Sequence, residues 1–247
     1  EEPAGCHKCF EPERQGVRSF RQKALGGLLK RKGKVAYEHD NIIALDMRLG
    51  NVCNLACTMC FAGNSNSIYN QLPKMADHWG WSQGHLKSEL EKYHAKNYGW
   101  PADEKAWNNI LPSITSNLRR VYFAGGEPMY LPPFIDASSK IREKAPQANI
   151  SINTNGTRLL RDKDLIKFKK VNPRLRVSID GWGKSEEFTR QNTVWEEKLQ
   201  VMDQYYNEFG IDAWDITCNV FTFRHLKELI ETLSNRYPSI PIQIRPV

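Results

Sequence analysis

Apolar positions along the chain fall into two regimes. Up to about residue 40 they are sparse and follow no sustained period, apart from a stretch that predicts a helix around Gln22–Lys30. From about Asn41 onward, short apolar runs alternate with amphipathic stretches. The runs Ile42–Met47, Leu118–Ala124, Asn149–Asn153, Leu175–Ile179, Ala213–Phe221 and Ile240–Val247 read as strands. Pro133–Lys144, Lys163–Lys170, Trp195–Glu208 and Leu226–Tyr237 lie between them and read as helices. Strands spaced by helices make βαβ units, and βαβ units build a parallel sheet. The expected fold is therefore α/β, a partial (β/α)6 barrel of parallel strands over residues 41–247. An open doubly wound sheet is the alternative.

Two segments stand outside this rhythm. Residues 1–40 are polar and basic and form a short N-terminal segment that carries Cys6 and Cys9. An insertion at about residues 71–117, after the first βα unit, is longer than an ordinary connection and holds Trp79, Trp81, Trp100 and Trp107. It reads either as a lid over a binding site or as an extra helical layer with the tryptophans as packing anchors.

Composition narrows the class without changing the picture. Hydrophobic residues make up 40% and charged residues 26% of the 247, the balance of a globular protein with a sizeable core. No run approaches the roughly 18 apolar residues of a membrane span. A secretory leader is not apparent, and a chain that begins Glu1-Glu2-Pro3 reads as a fragment whose native start lies upstream. The net charge of +7 favours an anionic ligand or simply solubility. Its one dense run, Lys30–Lys34, reads as a solvated face, and a nucleic-acid partner is not expected.

The cysteines carry the chemistry. Cys6 and Cys9 form a C-x2-C pair, Cys53, Cys57 and Cys60 form C-x3-C-x2-C just after the first strand, and Cys218 stands alone as a small strand residue. Clustered cysteines in a chain of this size suit metal binding in a reducing compartment, the cytoplasm by default. Thiolates are the usual ligands of iron–sulfur clusters. Three of them leave one iron of a four-iron cubane open to a small molecule. A zinc site needs four ligands, usually as two C-x2-C pairs, and the x3 gap fits that spacing poorly. A non-catalytic zinc or iron–sulfur binding module with a basic surface is the rival reading. The six histidines are scattered and none forms H-x-x-x-H.

Three further strand-end segments draw notice. Gly125-Gly126-Glu127-Pro128 follows Val121–Ala124, Asn153-Thr154-Asn155-Gly156 ends the third strand, and Ser178-Ile179-Asp180-Gly181 ends the fourth. Polar groups at the C-terminal ends of parallel strands are where barrels place their chemistry. Taken singly, Glu127 is an acid beside a turn, Asn-Gly and Asp-Gly are turn dipeptides, and Arg190 is a lone helix arginine.

Together with the triad, these segments resemble the radical S-adenosylmethionine (SAM) superfamily, over roughly residues 41–247. The resemblance implies that Cys53, Cys57 and Cys60 hold a [4Fe–4S] cluster and that Met59 packs near the adenine of SAM. It implies that Gly125, Gly126, Glu127 and Pro128 receive the methionyl amino group. Asn153, Asn155, Ser178 and Asp180 would line the SAM pocket, with Ser178 at the ribose. Arg190 would pair with the SAM carboxylate, which a guanidinium fork suits. The implied reaction takes an electron from an external donor such as flavodoxin or ferredoxin. It then cleaves SAM to a 5′-deoxyadenosyl radical that removes hydrogen from a peptide or small-molecule substrate. Gly5-Cys6-His7-Lys8-Cys9, with Glu13, Gly16, Ser19 and Arg21, is similar to a twitch segment. Cys6 and Cys9 would then give two ligands to an auxiliary iron–sulfur cluster, the others lying upstream or downstream.

Overall fold

The computed structural model describes residues 7–19, 22–23, 42–94 and 99–246. The chain divides into two compact units, Glu1–Asn41 and Ile42–Val247. In the first, helix α1 spans His7–Arg14 and ends where Gly16 turns at φ +73°. Cys9 lies on α1 as a free thiol. Cys6, the basic run Lys30–Lys34 and most of the helix expected over Gln22–Lys30 lie outside the described residues.

The second unit is built on one six-stranded sheet. Its strands are β1 (Ala44–Arg48), β3 (Arg120–Ala124), β4 (Asn149–Thr154), β5 (Arg174–Ser178), β7 (Ala213–Cys218) and β8 (Ile242–Pro246), in that spatial order. Every pairing is parallel. Spatial order follows chain order and never reverses, so the sheet lacks the switch point of a doubly wound fold. It is the open arc of a (β/α)6 barrel. Helices fill the later crossovers: α6 (Phe134–Lys144), α7 (Asp162–Val171), then α8 (Lys184–Thr189) and α9 (Trp195–Glu208), and finally α10 (Leu226–Arg236).

Alternation along the strands separates two faces. Val121, Phe123, Ile150, Ile152, Leu175 and Val177 are buried and belong to the main core. The intervening Tyr122, Ser151, Asn153, Arg176 and Ser178 are only partly buried. This second face is polar, and Arg176 crosses it to pair bidentately with Asp215 on β7. A sheet with one greasy and one polar face packs helices on the first and leaves the second to a ligand or solvent.

Several element ends differ from the sequence reading by one to three residues, those of β7 and β3 among them, and one strand pair escaped it. β7 stops at Cys218 rather than Phe221, because the Asn219 side chain accepts from Phe221 N (2.8 Å) and Thr222 N (3.1 Å) and closes a turn. β3 starts at Arg120 rather than Leu118, after a turn in which Leu118 N bonds Thr115 O. A two-residue antiparallel pair, β2 (Ala56–Cys57) with β6 (Arg190–Gln191), has too short a pattern to read in sequence.

The insertion is helical in its described parts: α3 (Leu72–Trp79), α4 (Gln83–Lys92) and α5 (Glu104–Ile110) follow the short α2 (Asn66–Tyr69). Trp107 is buried in the main core at 5.8 Å from Trp100 and 6.4 Å from Phe123, and its indole N–H reaches Pro101 O at 2.8 Å. A second apolar cluster joins Ala56, Ala62, Ile68 and Leu72, with Cys60, Trp81, Leu86 and Leu90 packed against it. The first helices of the insertion therefore buttress the cysteine loop, while Trp79 stands 56% exposed.

This division of labour has a measurable consequence. Trp107→Ala should lose about 3–5 kcal/mol in urea unfolding, since it deletes a fully packed indole and its hydrogen bond. Trp79→Ala should change stability by no more than about 0.5 kcal/mol. Equal losses would show that the insertion is anchored elsewhere.

Candidate functional site

All strands of the sheet run in one direction, so the segments after β1, β3, β4 and β5 emerge at one end. The cysteine loop follows β1 and is shaped by its own polar bonds. Asn66 Oδ1 accepts from Cys53 N at 2.9 Å, and Ser67 Oγ donates to Cys53 O at 2.9 Å. The buried Ser65 hydroxyl donates to Leu55 O at 2.5 Å and caps α2. Asn51 Nδ2 donates to Ala62 O at 3.1 Å, and Cys60 N bonds Cys57 O at 3.0 Å. Cys53, Cys57 and Cys60 are free and half-buried, and Met59 lies half-buried in the same turn.

The GGEP segment clamps this loop to the sheet. Glu127 N donates to Val52 O at 2.6 Å. Gly125 and Gly126 sit at φ +82° and +48°, and a Cβ on Gly126 would lie 2.5 Å from Val52 O. Only glycine allows both the left-handed backbone and the close approach. Glu127 is neither an exposed acid nor a free ligand. Its carboxylate is 1% exposed and accepts from Thr154 Oγ1 (2.7 Å), Asn155 N (2.5 Å) and Met129 N (3.1 Å), tying the end of β3 to the end of β4. Burial pushes its pKa up, and those three donors oppose the shift. Pro128 is buried behind it.

The ends of β4 and β5 approach the same loop. Asn155 Nδ2 donates to Asn54 Oδ1 at 2.8 Å and to Cys53 Sγ at 3.9 Å. Asn153 Oδ1, on the polar face, is buried without a hydrogen-bond partner, which leaves an acceptor for a ligand. Ser178 is half-buried at the end of β5. Asp180 is 1% exposed, and its Oδ1 accepts from Thr217 N at 2.6 Å.

Arg190 departs most from the sequence reading. Its side chain is 9% exposed, and Nε meets Asp180 Oδ2 at 2.7 Å and Glu186 Oε1 at 3.7 Å. Its two nearest acids are the protein's own, although Nε and Asp180 Oδ2, for all their closeness, make no well-aligned hydrogen bond. Glu186 and Lys198, which the sequence reading missed, complete the group. Glu186 Oε2 accepts from Asp180 N (2.8 Å) and Gly181 N (2.9 Å). Lys198 Nζ is fully buried, pairs with Glu186 and donates to Ser178 O at 2.9 Å. A signal did exist: Trp195, Lys198, Met202 and Tyr205 share one face of α9 at helical spacing, which places a lysine on the buried stripe.

Burial raises all three thiol pKa values. Cys53 is pushed up to about 12, with Glu127 adding to the effect. Arg190 opposes the rise at Cys57, and neighbouring Cys57 adds to it at Cys60. The thiols are thus protonated near neutrality without metal, and a metal must displace protons to bind. The sulfurs are near enough to feel one another. Yet among the described residues no three His, Cys, Asp or Glu side chains converge as ligands of a single ion. A four-iron cubane does not require that convergence, because each thiolate takes its own iron. Three soft thiolates on one loop, with N–H donors facing two of them, fit such a cluster.

The model of the Radical SAM superfamily matches residues 47–234, which is most of the chain and contains the whole of this arrangement. The chain belongs to the Radical SAM superfamily. That family implies a [4Fe–4S] cluster and S-adenosylmethionine (AdoMet). Among solved structures, native anSMEcpe with bound AdoMet is similar at 16% identity and a TM-score of 0.55, covering 83% of this chain and 52% of that one. Native anSMEcpe with bound AdoMet and a Cp18Cys peptide is similar at 15% identity and a TM-score of 0.52, covering 83% and 50%. The likeness is one of fold, and the chain spans about half the length of those structures. A comparison with curated proteins gives no match. No helix among the described residues is long and apolar enough to cross a membrane.

Substitutions at Gly126, Lys198 and Glu186 test the construction of this candidate site. Gly126→Ala should cost about 2 kcal/mol or more in thermal unfolding, from the left-handed backbone and the clash with Val52 O. Lys198→Met should cost about 3–5 kcal/mol by removing the buried cation paired with Glu186 Oε1, and Lys198→Met with Glu186→Gln should recover much of it. A Lys198→Met protein as stable as the parent would refute the buried pair.

Proposed function

We propose that this chain is the catalytic barrel of a radical SAM enzyme, with Cys53, Cys57 and Cys60 as the protein ligands of a [4Fe–4S] cluster. The observation that carries this reading is the convergence of the triad with the ends of β3, β4 and β5, within a chain that belongs to the superfamily. When bound, the cluster and AdoMet together supply a 5′-deoxyadenosyl radical, made with an electron from an external donor such as flavodoxin or ferredoxin.

The chain's own residues bind, orient and exclude water. Gly125 and Gly126 bring the backbone of β3 onto the loop, so the triad is held to the sheet and cannot swing into solvent. The GGEP backbone, rather than the Glu127 carboxylate, is then the surface offered to the amino group of AdoMet. Asn153 supplies an unpartnered acceptor on the polar face, with Ser178 beside it for the ribose and Met59 for the adenine. Asp180 serves by fixing Arg190 rather than by touching the ligand. The second apolar cluster, with Leu72, Trp81 and Leu86, shields the loop from outside.

The substrate is proposed by class as a peptide or small molecule, held on the polar sheet face near Arg176. A peptide is favoured by likeness in fold to anSMEcpe, which has been solved with one bound. Cys9 and Cys6 would give two ligands to an auxiliary iron–sulfur cluster in a twitch-like N-terminal unit. Free thiols at all five described cysteines suit the reducing cytoplasm.

Anaerobic reconstitution with iron and sulfide tests the reading. The chain should take up iron and sulfide in equal amounts and, with dithionite and AdoMet, form 5′-deoxyadenosine. Cys53→Ala, Cys57→Ala and Cys60→Ala should each abolish that product. Zinc uptake without sulfide, or full activity in the variants, would overturn it in favour of a zinc-binding module.

A further inference from the structure

The guanidinium of Arg190 faces the cysteine loop from inside the fold. Backbone pairing sets Arg190 directly opposite Cys57 in the β2–β6 ladder. Nε is held by Asp180 at 2.7 Å, and Nη1 donates to Cys57 Sγ at 3.9 Å. The group cannot turn away, because its side chain is 9% exposed and the acids holding it are fully buried. Neither of the other two sulfurs has a cation as its hydrogen-bond partner. Cys53 Sγ accepts from the neutral Asn155 amide, and Cys60 Sγ donates to the Phe61 carbonyl.

The four buried charges Asp180, Glu186, Arg190 and Lys198 sum to zero but are not symmetric about the loop. Lys198 is paired with Glu186, and the charge that reaches a ligand sulfur is the positive one on Arg190. Arginine keeps its proton at any working pH, so this charge is permanent. An iron–sulfur cluster gains one negative charge on reduction, and a nearby buried cation stabilises the reduced form more than the oxidised one.

We propose that Arg190 is a positioning residue for redox poise. Fixed by Asp180 and Glu186, it donates to Cys57 Sγ and raises the reduction potential of the cluster that the triad would hold. This rests on the reading of Cys53, Cys57 and Cys60 as cluster ligands.

The test is a dithionite titration of the anaerobically reconstituted chain, followed by the paramagnetic signal of the reduced cluster, with iron and sulfide content measured in every sample. In Arg190→Gln the midpoint should move to more negative potential. At a fixed poise the ratio of reduced to oxidised cluster should fall roughly tenfold, about 59 mV for a one-electron couple. Arg190→Lys keeps the charge and should shift less in the same direction. Asp180→Asn removes the counter-charge and should shift the midpoint the other way. Opposite signs are the signature, since a loosened loop would not produce them.

If Arg190→Gln does not fold, the Arg190→Lys and Asp180→Asn pair decides alone. Loaded variants with coincident midpoints, or Arg190 and Asp180 variants shifting in one direction, would overturn the inference while leaving the cluster intact. A parent chain that takes up no iron and sulfide would instead remove the reading beneath it.

Discussion

The cysteine loop is held to the sheet by one buried group of charges, and the site depends on it. Asp180 at the end of β5, Glu186 on α8, Arg190 on β6 and Lys198 on α9 bring four elements to a common point. Two acids and two bases cancel, and backbone donors from Asp180, Gly181 and Thr217 satisfy much of what remains. Such a group contributes little net stability against an apolar replacement, yet losing one member is costly. It therefore specifies an arrangement. Because β6 carries Arg190 and pairs with β2, the same group fixes Cys57 relative to the strand ends.

Opposite this polar anchor stands a backbone one. Gly126 lets the turn after β3 lie against Val52, one residue before Cys53. Glu127 then turns inward to bind the end of β4. The loop is thus gripped from β3 and from β5, while its outer face packs on α2, α3 and α4. Thiols placed on a surface loop would be free to reorient, whereas here Cys53 and Cys57 are each set by a buried neighbour, Asn155 and Arg190. A low-potential cluster benefits from such a mount, since its potential follows the charges and donors around it.

Much of this was legible in the sequence. The six strands, their parallel order and the four strand-end segments followed from hydrophobic periodicity and from glycine-bearing turns. The triad stood out as a candidate ligand set because its spacing suits few other uses. What escaped reading was side-chain destination. Glu127, Asp180 and Arg190 are polar residues beside turns, and nothing local reveals that Glu127 turns inward to Thr154 and Asn155, Asp180 to Thr217 and Arg190 to Asp180, partners 10 to 37 residues away. Glu186 and Lys198 were missed because a pair of opposite charges on two helices resembles a solvated surface until the helix face is examined. β2 and β6 were missed because two residues make no periodicity.

Electron paramagnetic resonance of the dithionite-reduced, reconstituted chain, recorded before and after AdoMet is added, tests the central claim most directly. If the triad leaves one iron open and the strand ends form the ligand's pocket, AdoMet will change the shape and g values of the cluster signal. A signal that is identical with and without AdoMet would contradict the account.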